Sequence, residues 1–291
     1  MSHWTASEIP DQAGRTFVVT GANSGIGLVA ARELAAHGAH VVLAVRDTAK
    51  GERAAGTIKG STEVRRVDLA DLGSVRAFAE AQGPADVLVN NAGVMNVAHQ
   101  RTKDGFELQI GTNHLGHFAL TNLLLPKLRE RVVVVASGAH RIGRIDLDDL
   151  NWEHTRYRRY RAYGQAKLAN LLFMSELQRK LVQAGSDVKA TGAHPGYAAT
   201  NLQSHAPSRV ENAFMAIGNR IFAQSGEMGA LPTLYAATMD LPGDAYIGPG
   251  GPGETRGHPA PASRSKAAQD AETARALWAL SERLTNTRFP L

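Results

Sequence analysis

No cysteine occurs in the 291 residues of this chain. That excludes disulfides, a thiolate nucleophile and any metal site built on cysteine. Long apolar runs are missing too: none approaches the roughly 18 residues that a membrane span requires. The opening Met1-Ser2-His3-Trp4-Thr5 lacks the basic-then-apolar order of a signal peptide, so a cytoplasmic location is expected. No internal repeat and no linker divides the chain, and no His/Asp/Glu spacing suggests a metal site. Charge is modest at 20% of residues, with a formal net charge of +5. A positive balance reads either as a surface for an anionic partner or as a solvated basic face. Its densest run, Arg156-Tyr157-Arg158-Arg159-Tyr160-Arg161, interleaves cations and aromatics as some nucleic-acid binders do. A single short run fits a local surface or a site rim better, and no nucleic-acid partner is expected.

What remains is the composition of a globular α/β domain, 43% apolar, long enough for a substantial core. Strand and helix signals alternate from residue 15 to about residue 194. Short apolar strands are predicted at 17–20, 41–45, 64–67, 87–89, 132–135 and 188–193. Helical periodicity is predicted at 28–37, 49–58, 74–81, 106–124 and from the Tyr163 region to about 182. Val132-Val133-Val134-Val135 is apolar on both faces, as a buried parallel strand is. Such alternation implies βαβ units and a parallel sheet covered on both sides. The expected architecture is one α/β domain over 1–291. Residues 196–240 form a helical substrate-side segment, 248–263 a Gly/Pro-rich loop, and 266–284 a last helix.

The first strand runs into Thr20-Gly21-Ala22-Asn23-Ser24-Gly25-Ile26-Gly27. Gly21 suits a tight turn, Gly25 lets backbone approach a pyrophosphate, and Gly27 lets helix and strand pack closely. The helix that follows offers N–H donors and positive potential to an anion. This predicts a dinucleotide site of Rossmann type in a doubly wound parallel sheet. The second strand ends in Ala44-Val45-Arg46-Asp47. An acidic residue there would bond a ribose 2′-OH, and an arginine suits a 2′-phosphate. Arg46 therefore favours NADP over NAD, while Asp47 is free to cap the next helix. Asp68 and Leu69 follow the third strand and stand either near the adenine or in a turn.

Tyr163 and Lys167 lie four residues apart on one helical face. A neighbouring cation favours phenolate and lowers a tyrosine pKa that starts near ~10. The pair is a candidate proton donor and acceptor.

Taken in order, Thr20-Gly21-x-x-x-Gly25-Ile26-Gly27, Asp68, Asn90-Asn91-Ala92-Gly93, Asn113, Ser137, Tyr163-x-x-x-Lys167 and Pro195-Gly196 resemble the short-chain dehydrogenase/reductase family over roughly residues 12–200. The phrases Asn113-His114-Leu115-Gly116-His117-Phe118 and His194-Pro195-Gly196 are similar to the branch that holds retinol dehydrogenases, WW-domain oxidoreductase and protochlorophyllide reductase. Neither an N-terminal anchor nor a WW module is expected here. The resemblance implies that Tyr163 passes a proton to or from the substrate oxygen and that Ser137 hydrogen-bonds that oxygen. Lys167 would bond the nicotinamide ribose and tune Tyr163, and Asn113 would hold a water joining Lys167 to solvent. Asn23, Ser24, Ile26, Asn91, Ala92 and Gly93 would line the cofactor; Pro195, Gly196 and Thr200 would contact its nicotinamide side. The implied partner is a small alcohol or carbonyl compound, and a homo-oligomer is possible. One departure is the long interval between Ser137 and Tyr163, which reads as an inserted loop at 138–161.

His140, His194 and His114 read as packing or hydrogen-bonding residues, with His140 near enough to Ser137 to touch substrate. Trp152, Tyr157 and Tyr160 fit either a pocket wall or a satellite core. Leu202, Phe214, Met215, Ile217 and Phe222 fit a lid, ordinary helix packing or an oligomer contact. The expected activity is NADP-dependent hydride transfer between nicotinamide and an alcohol or carbonyl. The alternatives are reduction of a conjugated double bond and a non-catalytic NADP sensor on the same fold.

Overall fold

Thr16–Thr20 forms β1, and its burial pattern is inward on both faces. The computed structural model describes residues 3–197 and 225–291. Thr200 and the apolar residues of the expected lid lie outside them. Around β1 stand β2 (His40–Val45), β3 (Ser61–Arg66), β4 (Ala85–Asn90), β5 (Leu128–Val135), β6 (Lys189–Ala193), β7 (Tyr246–Pro249) and β8 (Pro259–Pro261). Their order across the sheet is β3-β2-β1-β4-β5-β6-β7-β8. Every pairing is parallel except β7 with β8. The doubly wound architecture expected from the alternation is the one found.

Period-two alternation splits each central strand between two cores. Phe17 and Val19 of β1 pack with Leu34 of α1 (Gly25–Ala36) and with Leu231 and Leu234 of a helix at Gly226–Thr238. Val18, between them, faces the opposite core with Phe118, Leu168 and Leu171. The helices on that second side are α3 (Leu72–Ala81), α5 (Gly116–Leu124), α6 (Arg159–Gln183) and α8 (Ala271–Thr285). The remaining α-helices among the described residues are α2 (Thr48–Ala55), α4 (Leu108–Ile110) and α7, the Gly226–Thr238 helix already described.

Two expectations need correction. The Gly/Pro-rich stretch 248–263 is not all loop, because β7 runs into it and β8 lies within it, extending the sheet edge. Proline is tolerated on an edge strand, where its missing N–H faces no ladder. Gly248 is there because a Cβ would stand 2.0 Å from His194 Nε2. The predicted 106–124 helix is interrupted by a π turn at Gly111–Leu115, a form often found at functional sites.

The C-terminal helix α8 covers the outer face of α5 and α6. Trp278 stacks on Phe173 at 5.6 Å between centroids and meets Phe118 edge-on at 4.9 Å. Its indole N–H donates to Glu282 at 2.9 Å. Trp278→Ala should cost about 3–5 kcal/mol of stability, as truncation of a buried aromatic does. Urea unfolding checks this, and a loss under about 1 kcal/mol would mean that α8 is not part of the core.

Candidate active site

The sheet order reverses between β1 and β4, and ligands of open α/β sheets bind at the carboxyl ends of strands at such a point. A cavity of about 1270 Å³ opens there. Gly21, Asn23, Ser24, Gly25, Ile26 and Gly27 line one end of it. Gly21 and Gly25 have φ of 68° and 54°, a left-handed backbone that glycine adopts without penalty. A Cβ on Gly27 would fall 2.4 Å from Asn91 Nδ2 and 2.6 Å from Gly21 O, so the turn packs against the β4 loop only if that residue is glycine. Ser24 precedes α1 without a side-chain bond to its first turn. The leading amides of α1 are thus left for an anion. The cradle fits a dinucleotide pyrophosphate.

At the adenosine end stand Ala44, Arg46, Asp68 and Leu69, joined by Lys50, Arg53 and Thr57 of α2 and the turn beyond it. Asp47 caps α2 by accepting from Lys50 N at 3.0 Å, which is one of the two roles open to it. Arg46 makes no hydrogen bond or ion pair among the described residues, so its guanidinium is available to a ligand. Asp68 accepts from Ala70 N at 3.0 Å, a turn role that still leaves it on the cavity wall. Lys50 and Arg53 were not singled out in the sequence. Lys50 and Arg53 stand three apart on α2 and so share a helical face, and that face meets the cavity wall that also holds Arg46.

The β4 loop carries Asn91, Ala92 and Gly93 along the middle of the cavity. The hydroxyl of Thr20 accepts from Asn91 N and Ala92 N, both at 2.9 Å. Asn113 sits in the π turn, fully buried. Its carboxamide is committed to Val94 at both ends, accepting from N at 2.8 Å and donating to O at 2.9 Å. In this structure the Asn113 side chain therefore holds the loop.

Ser137 follows β5 and starts a short 3-10 turn at Gly138–Ile142. The inserted stretch then folds back until Gly143 meets α6, where a Cβ would stand 2.2 Å from Gly164 O. Ser137 and Tyr163 line the same region of the cavity wall, and the Ser137 side chain favours the ionised form of the phenol. Lys167 lies one turn further along α6, with Nζ donating to Val135 O at 2.9 Å and 5.7 Å from the centre of the Tyr163 ring. Ser137, Tyr163 and Lys167 all line the cavity, with Pro195 and Gly196 opposite.

The electrostatics differ from the sequence expectation. Burial pushes the Tyr163 phenol up to about 12, opposed only by the hydrogen bond with Ser137. Burial also lowers Lys167 to about 8. Desolvation penalises the charged form of each group, and here it outweighs the pull of the cation on the phenol. The tyrosine is held protonated at neutral pH.

The substrate end is walled by Val94, Met95, Val97, Tyr160, Tyr197 and the turn Gly253–Thr255. That turn, far away in sequence, was not foreseen. Tyr197 N donates to Thr255 O at 2.8 Å. Glu254 receives Ser263 N at 2.8 Å and faces Arg141 at 3.3 Å and His194 at 3.4 Å. His140 donates from Nδ1 to Ser137 O at 2.7 Å, and His114 bonds Ser281 at 2.9 Å. All three histidines act as packing or hydrogen-bonding residues, and the described residues contain no cluster able to hold a metal. Tyr160 walls the cavity, whereas Tyr157 stacks on His99 at 4.5 Å and meets Trp152 edge-on, the satellite core. No helix among the described residues is long and apolar enough to cross a membrane.

Comparison with known proteins agrees with this geometry. The family model for short chain dehydrogenases matches residues 15–211. Human retinol dehydrogenase 13 is 43% identical, covering 98% of this chain and 90% of its own. Mouse polyprenol dehydrogenase is 40% identical, covering 95% and 85%. A crystal structure of an uncharacterised protein from Mycobacterium paratuberculosis superposes with a TM-score of 0.88 at 56% identity, over the full length of both chains.

Proposed function

Because this chain belongs to the short-chain dehydrogenase family and is an NAD(P)-dependent oxidoreductase acting between alcohols and carbonyls, we propose that it uses NADP(H) and takes an apolar substrate, with Tyr163 as its general acid and base. The convergence of Ser137, Tyr163 and Lys167 on one cavity with the glycine turn carries this reading. The bound nicotinamide would supply or accept the hydride, and the protein would orient the reactants and handle the proton.

Each residue then has a task. Tyr163, protonated and buried, donates to the carbonyl oxygen in the reducing direction and takes the proton back in the oxidising one. Ser137 donates to the same oxygen and fixes its position. Lys167, with one protein acceptor at 2.9 Å, has two further N–H bonds to give to ribose hydroxyls. Pro195 and Gly196 support the nicotinamide side. The cavity wall of Val94, Met95 and Val97 suits an apolar substrate body. The printed names of the relatives, retinol and polyprenol dehydrogenases, add support for a lipid-like alcohol or aldehyde. Cytoplasmic residence and a single domain over 1–291 belong to the same proposal, as does the absence of a nucleic-acid partner.

Preference for NADP rests on Arg46, with Lys50 and Arg53 behind it. Arg46→Ala should weaken NADP binding on the order of 10- to 100-fold and leave NAD affinity nearly unchanged, since a charge-assisted bond to phosphate contributes about 1.5–3 kcal/mol. Titration with both cofactors measures this; an equal loss for both would remove the assignment. Turnover is tested by following nicotinamide absorbance over a panel of apolar aldehydes, ketones and alcohols. Cofactor binding without turnover of any of them would favour the sensor reading instead.

A further inference from the structure

His117 lies on α5, behind the residues that line the cavity, and is 3% exposed. Its two ring nitrogens meet two different parts of the site. Nδ1 is 3.0 Å from the backbone oxygen of Asn113, and Nε2 is 2.9 Å from Thr20 Oγ1. A carbonyl oxygen only accepts, so Nδ1 carries the proton. Nε2 of the neutral ring then only accepts, and the Thr20 hydroxyl must donate to it. Val89 O, the other acceptor within reach of that hydroxyl, is further away at 3.3 Å. The lone pairs of Thr20 Oγ1 take the amides of Asn91 and Ala92. Asn91 Nδ2 returns a bond to Thr20 O at 2.7 Å. Both ring nitrogens of His117 and the hydroxyl of Thr20 are thereby partnered.

The link matters because of what stands at its ends. Thr20 is the last residue of β1 and leads directly into Gly21 of the phosphate turn. A Cβ on Gly21 would be 3.0 Å from Ala92, so turn and loop touch with no slack. Asn113 holds Val94 by both ends of its carboxamide. Thr20 and Asn113 are themselves fully buried. Few side chains offer a donor and an acceptor on opposite edges of a rigid plane, and imidazole is one. An apolar ring of similar size would fill the space and leave the Asn113 carbonyl and the Thr20 hydroxyl without this partner.

We propose that His117 is a positioning residue that locks the phosphate turn, the 91–94 loop and the Asn113 turn into one rigid unit. Its geometry stands by itself, while its consequence for cofactor affinity rests on the NADP reading above.

Two variants separate hydrogen bonding from ring volume. His117→Phe keeps bulk without donor or acceptor, and His117→Gln keeps a donor and an acceptor. In the cofactor-free protein, amide exchange at Asn91 and Ala92 should accelerate about tenfold or more in the Phe variant. NADP affinity should fall by about tenfold or more with it, the loss expected for buried bonds left unmade. His117→Gln should recover most of both. Unchanged exchange in the Phe variant, or equal damage from Phe and Gln, would overturn the assignment. Should the Phe variant not fold, the ¹⁵N spectrum of the parent protein decides, because His117 must be the neutral Nδ1–H tautomer and the Nε2–H form contradicts the scheme. Neither the exchange nor the tautomer measurement needs cofactor. A parent protein that bound neither NADP nor NAD would thus count against the function alone.

Discussion

Tyr163→Phe should lower kcat by about 10²- to 10⁴-fold while NADP still binds, the range over which a general acid contributes to proton transfer. The substitution removes one oxygen from a side chain only 7% exposed, so the fold should tolerate it. What is lost is the proton that the carbonyl oxygen would receive. Ser137 still accepts from Ala139 N at 3.2 Å and keeps its place, but its own pKa makes it a poor donor of that proton. Loss should therefore appear in kcat, with KM changed little, the pattern of an interaction made only in the transition state. Steady-state kinetics on the best substrate of the panel, beside an NADP titration, reads both quantities. A kcat within tenfold of the parent would mean that another group moves the proton and that the Tyr163 assignment is wrong.

Acid should destabilise this protein from about pH 6.5 downward, before its carboxylates begin to be neutralised. His114 is lowered to about 3, and His117 and His194 to about 4, in each case chiefly by burial. Each is neutral and hydrogen-bonded or packed in the fold, whereas in the unfolded chain it titrates near its ordinary value of ~6.5. Because the folded pKa lies below the unfolded one, the unfolded chain takes up the proton first. The contribution of these three histidines is complete above about pH 6.5 and declines as the pH falls toward 4. A histidine lowered from its ordinary ~6.5 to about 4 contributes about 3 kcal/mol that is lost by pH 4. Three such groups together approach the whole stability of an ordinary domain, about 5–15 kcal/mol. Carboxylates with depressed pKa values, such as Asp149 and Glu254, add their loss only lower on the scale. Urea unfolding at pH 7.5, 6 and 5 should show a steady fall, and circular dichroism should show collapse between about pH 5 and 4. Equal urea stability at pH 7.5 and 5 would show that these rings do not stay neutral in the fold.

Local patterning carried most of the architecture. Strands β1, β2, β4 and β5 are short apolar runs between glycine, polar and helical segments, and period alone places them. The glycine turn was legible because each glycine answers a local demand: Gly21 and Gly25 take positive φ, and Gly27 admits Asn91. The Tyr163 and Lys167 spacing was legible because helical geometry puts four-apart residues on one face. The edge of the sheet was not, since β7 and β8 are four and three residues long and carry the glycine and proline of a loop. Their strand character comes from pairing with β6 and with each other, which no local pattern encodes.

The sequence by itself therefore determined the doubly wound sheet, the succession of its strands from β1 to β6 along the chain, the phosphate turn and the family. Each of these depends on contacts between near neighbours or on a repeating period. Tertiary structure alone decided the rest of the site. It placed Glu254 and Thr255 against His194 and Tyr197, which lie some 60 residues earlier. It also tied His117 to Thr20 across 97 positions of chain. The protonation of Tyr163 and Lys167 was decided there as well. Spacing brings a cation near a phenol, but only the packed interior sets how much water each has lost, and desolvation is the larger effect.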